Sequence, residues 1–389
     1  MIIYYNGLES NFYPLDLFRH QAKLLIGTTP FWKRHRGMFL IPDWLKPIYA
    51  RARCSGTCLY LKATTLFLEK LSLRGGEVIL KTKEGAVVGF RITKKPYPEN
   101  GDEIKERLKK IREKKIVRAV DFNYPWELIC RNGEIITRDF HKPIIPKGLK
   151  KKVEILGKHL AIRSGVKFDP NVLLDVRDGP VIIDKNVEIR AGSVVEGPAY
   201  IGPDTVIDGA RIRPGTSVGR DCRISGEVEA SIILHYSNKH HEGFLGHSYL
   251  GSWVNLGALT TNSDLKNNYH NVKVRYKDVQ FDTGVLKFGC LIGDHVKTGI
   301  GILIPTGGVI GPFTSVFGGG MIENFVPSFM WGSPGDYQDY EINEAIETAK
   351  IVMSRRGIRL TKGYENVIRA VLPLERQEKK VSNKTSPTR

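Results

Sequence analysis

From Val166 onward the aliphatic positions keep a six-residue interval. Ile183, Ile189, Val195, Ile201 and Ile207 follow at that spacing, and after one short step Ile212, Val218 and Ile224 resume it. The interval returns at Ile292, Thr298, Ile304, Ile310 and Val316. The residue two before the next aliphatic is often small, as at Ser193, Ala199 and Thr205, and Gly or Asp commonly follows the aliphatic. Such a period fits neither an amphipathic helix nor a hairpin strand. It is the period of short strands joined by tight corners, about three to a coil, in a solenoid. The pattern predicts a left-handed parallel β-helix of triangular section, with the aliphatics stacked inside and Gly, Asn and Asp at the corners.

Upstream, residues 1–145 read as an α/β domain. Apolar runs at Ile2–Tyr5, Leu24–Ile26, Met38–Ile41, Cys58–Leu61, Val78–Leu80 and Ala86–Ile92 alternate with helical-looking stretches at Thr64–Ser72 and Glu103–Lys115. Phe122–Phe140 reads as a linker helix with a turn at Asn132-Gly133. Pro143, Pro146 and the run Lys150–Lys152 mark a hinge, so residues 146–165 are taken as linker and 166–330 as the β-helix. Two stretches interrupt the repeat. Ser237–Asn255 departs from the hexapeptide pattern, and Asn262–Phe288 is a long polar excursion, expected to be an arm reaching a neighbouring subunit. Beyond Pro327 the segment FMWGSPGDY is expected to cap the last coil. Residues 331–389 then hold two helices, Tyr340–Arg355 and Lys362–Leu372, and a basic tail expected to be disordered.

Composition narrows the class. The chain has 389 residues, of which 41% are hydrophobic, so it is globular. No apolar run nears the roughly 20 residues of a membrane span and MIIYYNGLES is no signal peptide, so a cytoplasmic protein with no membrane partner is expected. Cys54, Cys58, Cys130, Cys222 and Cys290 are scattered and odd in number, which suits a reducing compartment. The net charge of +18 raises nucleic acid as a partner. Glutamates dilute the lysines, however, and no RNA-binding signature occurs, so anionic small molecules rank above nucleic acid. In the first domain Ile2–Tyr5 is followed by Asn6-Gly7-Leu8-Glu9-Ser10, with one glycine where a nucleotidyltransferase carries a Gly-rich phosphate loop. Mg2+ is therefore expected only if that domain is active.

The densest chemistry lies in SNKHHEGFLGHSYLGSWVNLGALTTNSDLKNNY, residues 237–269. Histidine supplies a base near neutral pH, asparagine both donors and acceptors, and glycine close backbone approach. These blocks, with GDHVKTGI, resemble the acetyltransferase half of the bifunctional N-acetylglucosamine-1-phosphate uridyltransferase–glucosamine-1-phosphate acetyltransferase family. They are closer still to a diverged sugar nucleotidyltransferase-like branch of it, which NFYPLDLFRHQAKLLIGTTPFWKRH and YPWELI resemble more weakly. The resemblance implies an acetyl-CoA-dependent N-acetyltransferase of an amino-sugar phosphate, such as glucosamine-1-phosphate, assembled as a homotrimer. It further implies His241 as the general base, fourteen positions before the sugar-contacting Asn255. By the same likeness Arg213, Asn262 and Asp264 contact the substrate, and Ala258 and Thr298 line the acetyl-CoA site. Lys239 and Lys266 are further candidates for the substrate's negative charge, and Gly257 or Ala258 for an oxyanion-binding N–H. Phe244 stands where the family has a tyrosine and His247 where it has an acid, which keeps His247 open as the base.

Two other readings stay open. One is a regulatory or scaffold protein with an inactive first domain. The other is a zinc carbonic anhydrase-like trimer using His235, His240, His241 and His247, which lacks a histidine two coils earlier. No metal site is assigned.

Overall fold

The computed structural model describes every residue except 9–10, 51, 53, 150–152 and 383–389, and the last helix as backbone alone from 377. The lysine run of the expected hinge and most of the basic tail thus lie outside the described residues. The chain forms two compact units: 1–24, 29–125 and 362–370 make one, and 25–28, 126–361 and 371–389 the other.

The first unit is built on a six-stranded mixed sheet, in the spatial order Met38–Leu40, Ile2–Tyr5, Cys58–Lys62, Val87–Ile92, Val78–Lys81, Lys114–Ile116. Its helices are α1 (Phe31–His35) and α2 (Gly101–Lys110), the latter capped by the Asn100 side chain on the Glu103 N–H. Thr64–Ser72 is not helical. Thr65–Phe67 forms a strand paired with Ala119–Asp121, a partner too distant in sequence for local propensity to register. Cys54 and Cys58, four residues apart, are joined in a disulfide.

The second unit opens with α3 (Pro125–Asp139), which runs straight through Asn132-Gly133. The pair is a packing contact and not a turn. Asn132 donates to the Gly215 carbonyl (2.8 Å) and the Ser217 hydroxyl (2.9 Å) and accepts from the Gly27 N–H (2.8 Å). At Gly133 an added Cβ would sit 3.3 Å from Pro198 and 3.4 Å from Gly215. The rest of the unit is a parallel β-helix, followed by α4 (Ile342–Ser354) and the end of α5 (Lys362–Ser382). Its first strand, Glu154–Gly157, pairs with Leu173–Val176, so the coils begin before Val166. Among the described residues one wall is a nine-stranded sheet, the second a six-stranded sheet continued by a three-stranded one, and the third a five-stranded sheet continued through Asn255 by a four-stranded one. Ile183, Ile189, Val195, Ile201, Ile207, Ile212, Val218 and Ile224 all lie fully buried in one column, as the six-residue interval requires.

Ser237–Asn255 does not break the prism. Asn238–Lys239, Phe244–Gly246 and Tyr249–Leu250 add one strand to each wall in register with the coil before. The polar excursion contains a hairpin, Lys273–Tyr276 with Val279–Asp282, whose Val272 and Val274 are buried, while Tyr249–Leu250 pairs across it with Cys290–Ile292. One corner carries Tyr236, Trp253, His295, Phe313 and Phe329, all at positive φ. That conformation costs non-glycine residues about 1–2 kcal/mol. Ring stacking offsets it, with centroids 4.2 Å apart for Tyr236 on Trp253 and 5.2 Å for Phe313 on Phe329.

If the column sets the stability of this unit, Ile207→Ala should lower its unfolding free energy by about 2–5 kcal/mol in urea titration. A loss below about 1 kcal/mol would count against the column.

Candidate active site

The site grows from the alternation of in and out along one wall. Ile224 faces inward, and its parallel-register neighbour one coil on is Lys239. Thr298 lies in the corresponding place beyond, next to Lys297. The residues just before these form the outer row: Arg223 beside Asn238, Asn238 beside Asn255, Asn255 beside Lys297. Parallel strands are about 4.8 Å apart, so the four make a polar ladder. Asn238 donates to the Asn255 amide oxygen at 3.3 Å.

Beside this ladder lies a cavity of about 570 Å³ that gathers His241, Asn255 and Ala258 with His240 and Asn238. Three arginines, Arg223, Arg355 and Arg356, also line it. Of the expected residues, His241, Asn255 and Ala258 therefore share one space. His240 bonds Asp208 through Nε2 (2.9 Å), and Asp208 also pairs with Arg190 (2.7 Å). Burial would raise the Asp208 carboxyl, but the hydrogen bonds from His240 and Arg190 hold it below its ordinary value.

The other expected residues lie elsewhere. Lys239 occupies the inward column, 2% exposed, and donates to the carbonyls of Ser225 (3.0 Å) and His241 (2.9 Å). Burial pulls its ammonium down to about 8. Arg213 stands over a different wall, with Glu227 at 3.1 Å and Glu229 at 3.5 Å. Asn262 is buried and closes a corner on both the N–H (2.8 Å) and the carbonyl (3.0 Å) of Gly246. Asp264 takes the imidazole of His247 at 2.7 Å. That pair sits at the far end of the strand Phe244–Gly246 from His241, so two corners carry the two candidate bases. Thr298 is internal, bonded to Thr260 (2.8 Å) and to the Gly257 N–H (3.1 Å). The Gly257 N–H also meets the Thr298 carbonyl (3.0 Å), which leaves the oxyanion role to Ala258. Lys266 lines a separate cavity of about 850 Å³ beside the arm hairpin.

Sequence reasoning missed Arg223, Asn238, Lys297, Arg355 and Arg356 at this site. Burial draws Lys297 down to about 8. For Arg356, burial and then the neighbouring Arg223 lower its affinity for a proton. In the first unit, the loop after Ile2–Tyr5 is tied internally, the Gly7 N–H donating to the Gln21 side chain at 3.2 Å. Lys62 there meets Asp121 (2.7 Å) and Asn123 (2.6 Å) in a satisfied, mostly buried cluster.

No family model matches the chain. A bifunctional sugar-1-phosphate nucleotidylyltransferase/acetyltransferase of Sulfurisphaera tokodaii is 35% identical over 160 residues, covering 38% of this chain and 38% of that protein. A bifunctional protein GlmU of Methanococcus vannielii is 31% identical over 228 residues, 57% of this chain and 50% of that protein. The chain is thus similar to GlmU-type bifunctional proteins. A third relative, the uncharacterized acetyltransferase YaiX of Escherichia coli strain 536, is 29% identical over 190 residues, 48% of this chain and 83% of that protein. The chain aligns with about half the length, or less, of the bifunctional relatives. Among the described residues no helix is long and apolar enough to cross a membrane.

The low value of Lys239 has a consequence for stability. Below about pH 8 the buried ammonium is charged in the folded and unfolded chain alike, and its desolvation is a standing cost. Between about 8 and the ordinary 10.5 the unfolded chain binds the extra proton, so the Lys239 contribution rises with pH. The stability difference between wild type and Lys239→Met, followed from pH 7 to 10.5 by denaturant titration, should shift toward wild type as pH rises. A flat difference would refute the assignment.

Proposed function

We propose that the chain is an acetyl-CoA-dependent N-acetyltransferase of an amino-sugar phosphate, glucosamine-1-phosphate or a close analogue. The observation that carries this reading is the meeting of His241, Asn255 and Ala258 in one cationic cavity at a β-helix corner. The relatives named as acetyltransferases support the same chemistry.

The amine of such a sugar is mostly protonated at neutral pH and must lose a proton to become a nucleophile. The ammonium first releases one proton to solvent. As the free amine adds to the thioester carbonyl, His241 takes a second proton from the nitrogen and delivers it to the departing coenzyme A sulfur as the C–S bond breaks. Asn255, on the ladder beside it, orients a sugar hydroxyl. The backbone N–H of Ala258 stabilises the tetrahedral oxyanion. Lys239 acts from behind: by holding the His241 carbonyl at 2.9 Å it fixes the backbone that presents the imidazole. His247, turned to Asp264 at another corner, is a structural pair in this reading.

Large apolar side chains lie exposed on the same edge of the prism: Ile300 (71%), Met321 (57%), Leu259 (56%) and Leu303 (40%). Leu303 and Met321 are register neighbours on adjacent strands, so they form a continuous strip. Three copies about a threefold axis would cover it, and a homotrimer with sites between subunits is part of the proposal. Nucleotide transfer is not assigned to the first unit, whose Lys62–Asp121–Asn123 cluster is internally satisfied.

A free-thiol assay with acetyl-CoA and a panel of amino-sugar phosphates should show turnover, and His241→Ala should reduce kcat by about 10²–10⁴-fold. The same loss in His247→Ala with His241→Ala near wild type would move the base to the other corner. Light scattering at micromolar concentration should give three times the chain mass; a monomer would remove the shared-site arrangement.

A further inference from the structure

The cations that the sequence offered for the substrate's phosphate are engaged away from His241. Arg213 faces two glutamates, Lys239 faces two carbonyls in the core, and Lys266 lies at the arm. The cavity of His241 is nonetheless strongly cationic. A second cavity of about 410 Å³ shares Asn238, Asn255, Arg355 and Arg356 with it, so the two form one groove. Among the described residues, Arg223, Lys297, Arg355 and Arg356 line that groove and no acidic residue does.

Two of these come from the end of α4. The helix is stopped by Gly357 at φ +68°, with the Ile358 N–H on the Met353 carbonyl at 3.1 Å. This turn fixes where Arg355 and Arg356 leave the helix, at a carbonyl end that favours cations. Arg356 donates to the Asn238 side-chain oxygen at 2.8 Å, which seats it on the ladder between the two cavities. Asp221 lies 3.5 Å from Arg356 and 3.1 Å from Arg223, so one carboxylate faces two guanidinium groups. Arg355 is exposed beside them.

We propose that Arg355 and Arg356 clamp the phosphate ester of the amino-sugar substrate, and so make the enzyme selective for a hexosamine phosphate over the neutral hexosamine. This deepens the N-acetyltransferase reading and rests on it. A guanidinium suits the task because its planar fork meets two phosphate oxygens at once and keeps its charge. The specificity element thus lies outside the hexapeptide repeat, on a helix that folds back over the wall carrying Asn238 and Asn255.

The test compares wild type, Arg355→Gln and Arg356→Gln by calorimetric titration with glucosamine-1-phosphate, inorganic phosphate and acetyl-CoA. It adds kcat/KM for glucosamine-1-phosphate and for glucosamine. Each substitution should weaken glucosamine-1-phosphate binding and its kcat/KM by roughly 10- to 100-fold. Acetyl-CoA binding should stay within about twofold, and the ratio of kcat/KM for glucosamine-1-phosphate to that for glucosamine should fall by the same roughly 10- to 100-fold. Because Arg355 is exposed, its variant separates a binding defect from misfolding. Weakened acetyl-CoA binding with intact sugar-phosphate binding would overturn the proposal and give the arginines to the coenzyme A diphosphate. Unchanged binding of all three ligands would overturn it outright. Arginine-dependent binding of inorganic phosphate by a wild type that binds no amino-sugar phosphate would leave the anion clamp standing and sink the N-acetyltransferase reading.

Discussion

The parallel register of the coils governs everything at the candidate site. Each inward residue rests on its counterpart one coil away, and a slip of one residue would turn the outward row inward. Ile207 and Ile224 pin that register on one wall, and Lys239 takes the next inward place. Because Lys239 points in, Asn238 points out over Arg223, and Asn255 and Lys297 follow on the same line. A lysine is an odd residue for the column. Its stem fills the space of an aliphatic, and its ammonium reaches two carbonyls, one of them that of His241. The same side chain therefore continues the core and sets the position of the proposed base.

The column was legible because its signal is local and periodic: a six-residue interval, with one short step, names eight buried aliphatics from Ile183 to Ile224. Elements whose stability comes from distant partners were misread. Asn132-Gly133 has the composition of a turn, yet its amide bonds to Gly215 and Ser217, more than eighty residues away, hold it in a helix. Thr65–Phe67 is a strand only because Ala119–Asp121 lies beside it. At the site the same division holds. His241, Asn255 and Ala258 fall within one coil, and their spacing resembles the family pattern. Lys297 reaches the same wall only after the arm, and Arg355 and Arg356 arrive from a helix beyond the last coil. No spacing rule connects those residues to Asn238.

The net charge of +18 is unevenly placed. Along the prism walls arginines meet acids: Arg177 with Asp175, Arg211 with Glu196, Arg213 with Glu227, Arg190 with Asp208. Exposed pairs of this kind add little stability, typically below about 1 kcal/mol. What they do is neutralise the walls. At the groove over Asn238 and Asn255, Arg223, Lys297, Arg355 and Arg356 meet a single carboxylate, that of Asp221, so the potential there stands out against a balanced background. An anion diffusing to this face meets its attraction at the corner that holds His241.

The departures from the repeat are concentrated where the chemistry is proposed. A lysine stands in the aliphatic column, a threonine two coils further on, and aromatic rings line a corner that elsewhere carries Asn186, Asp204 and Asp221. A sequence selected for stability alone would have kept the hexapeptide pattern through these coils, since each departure needs its own compensation: carbonyls for Lys239, Thr260 for Thr298, ring stacking for Tyr236 and Trp253. Broken local rules with every compensation in place are what a site built into a stable scaffold looks like. In the proposed reading this is the place of His241, whose backbone carbonyl Lys239 holds at 2.9 Å, while His247 is paired with Asp264 at 2.7 Å.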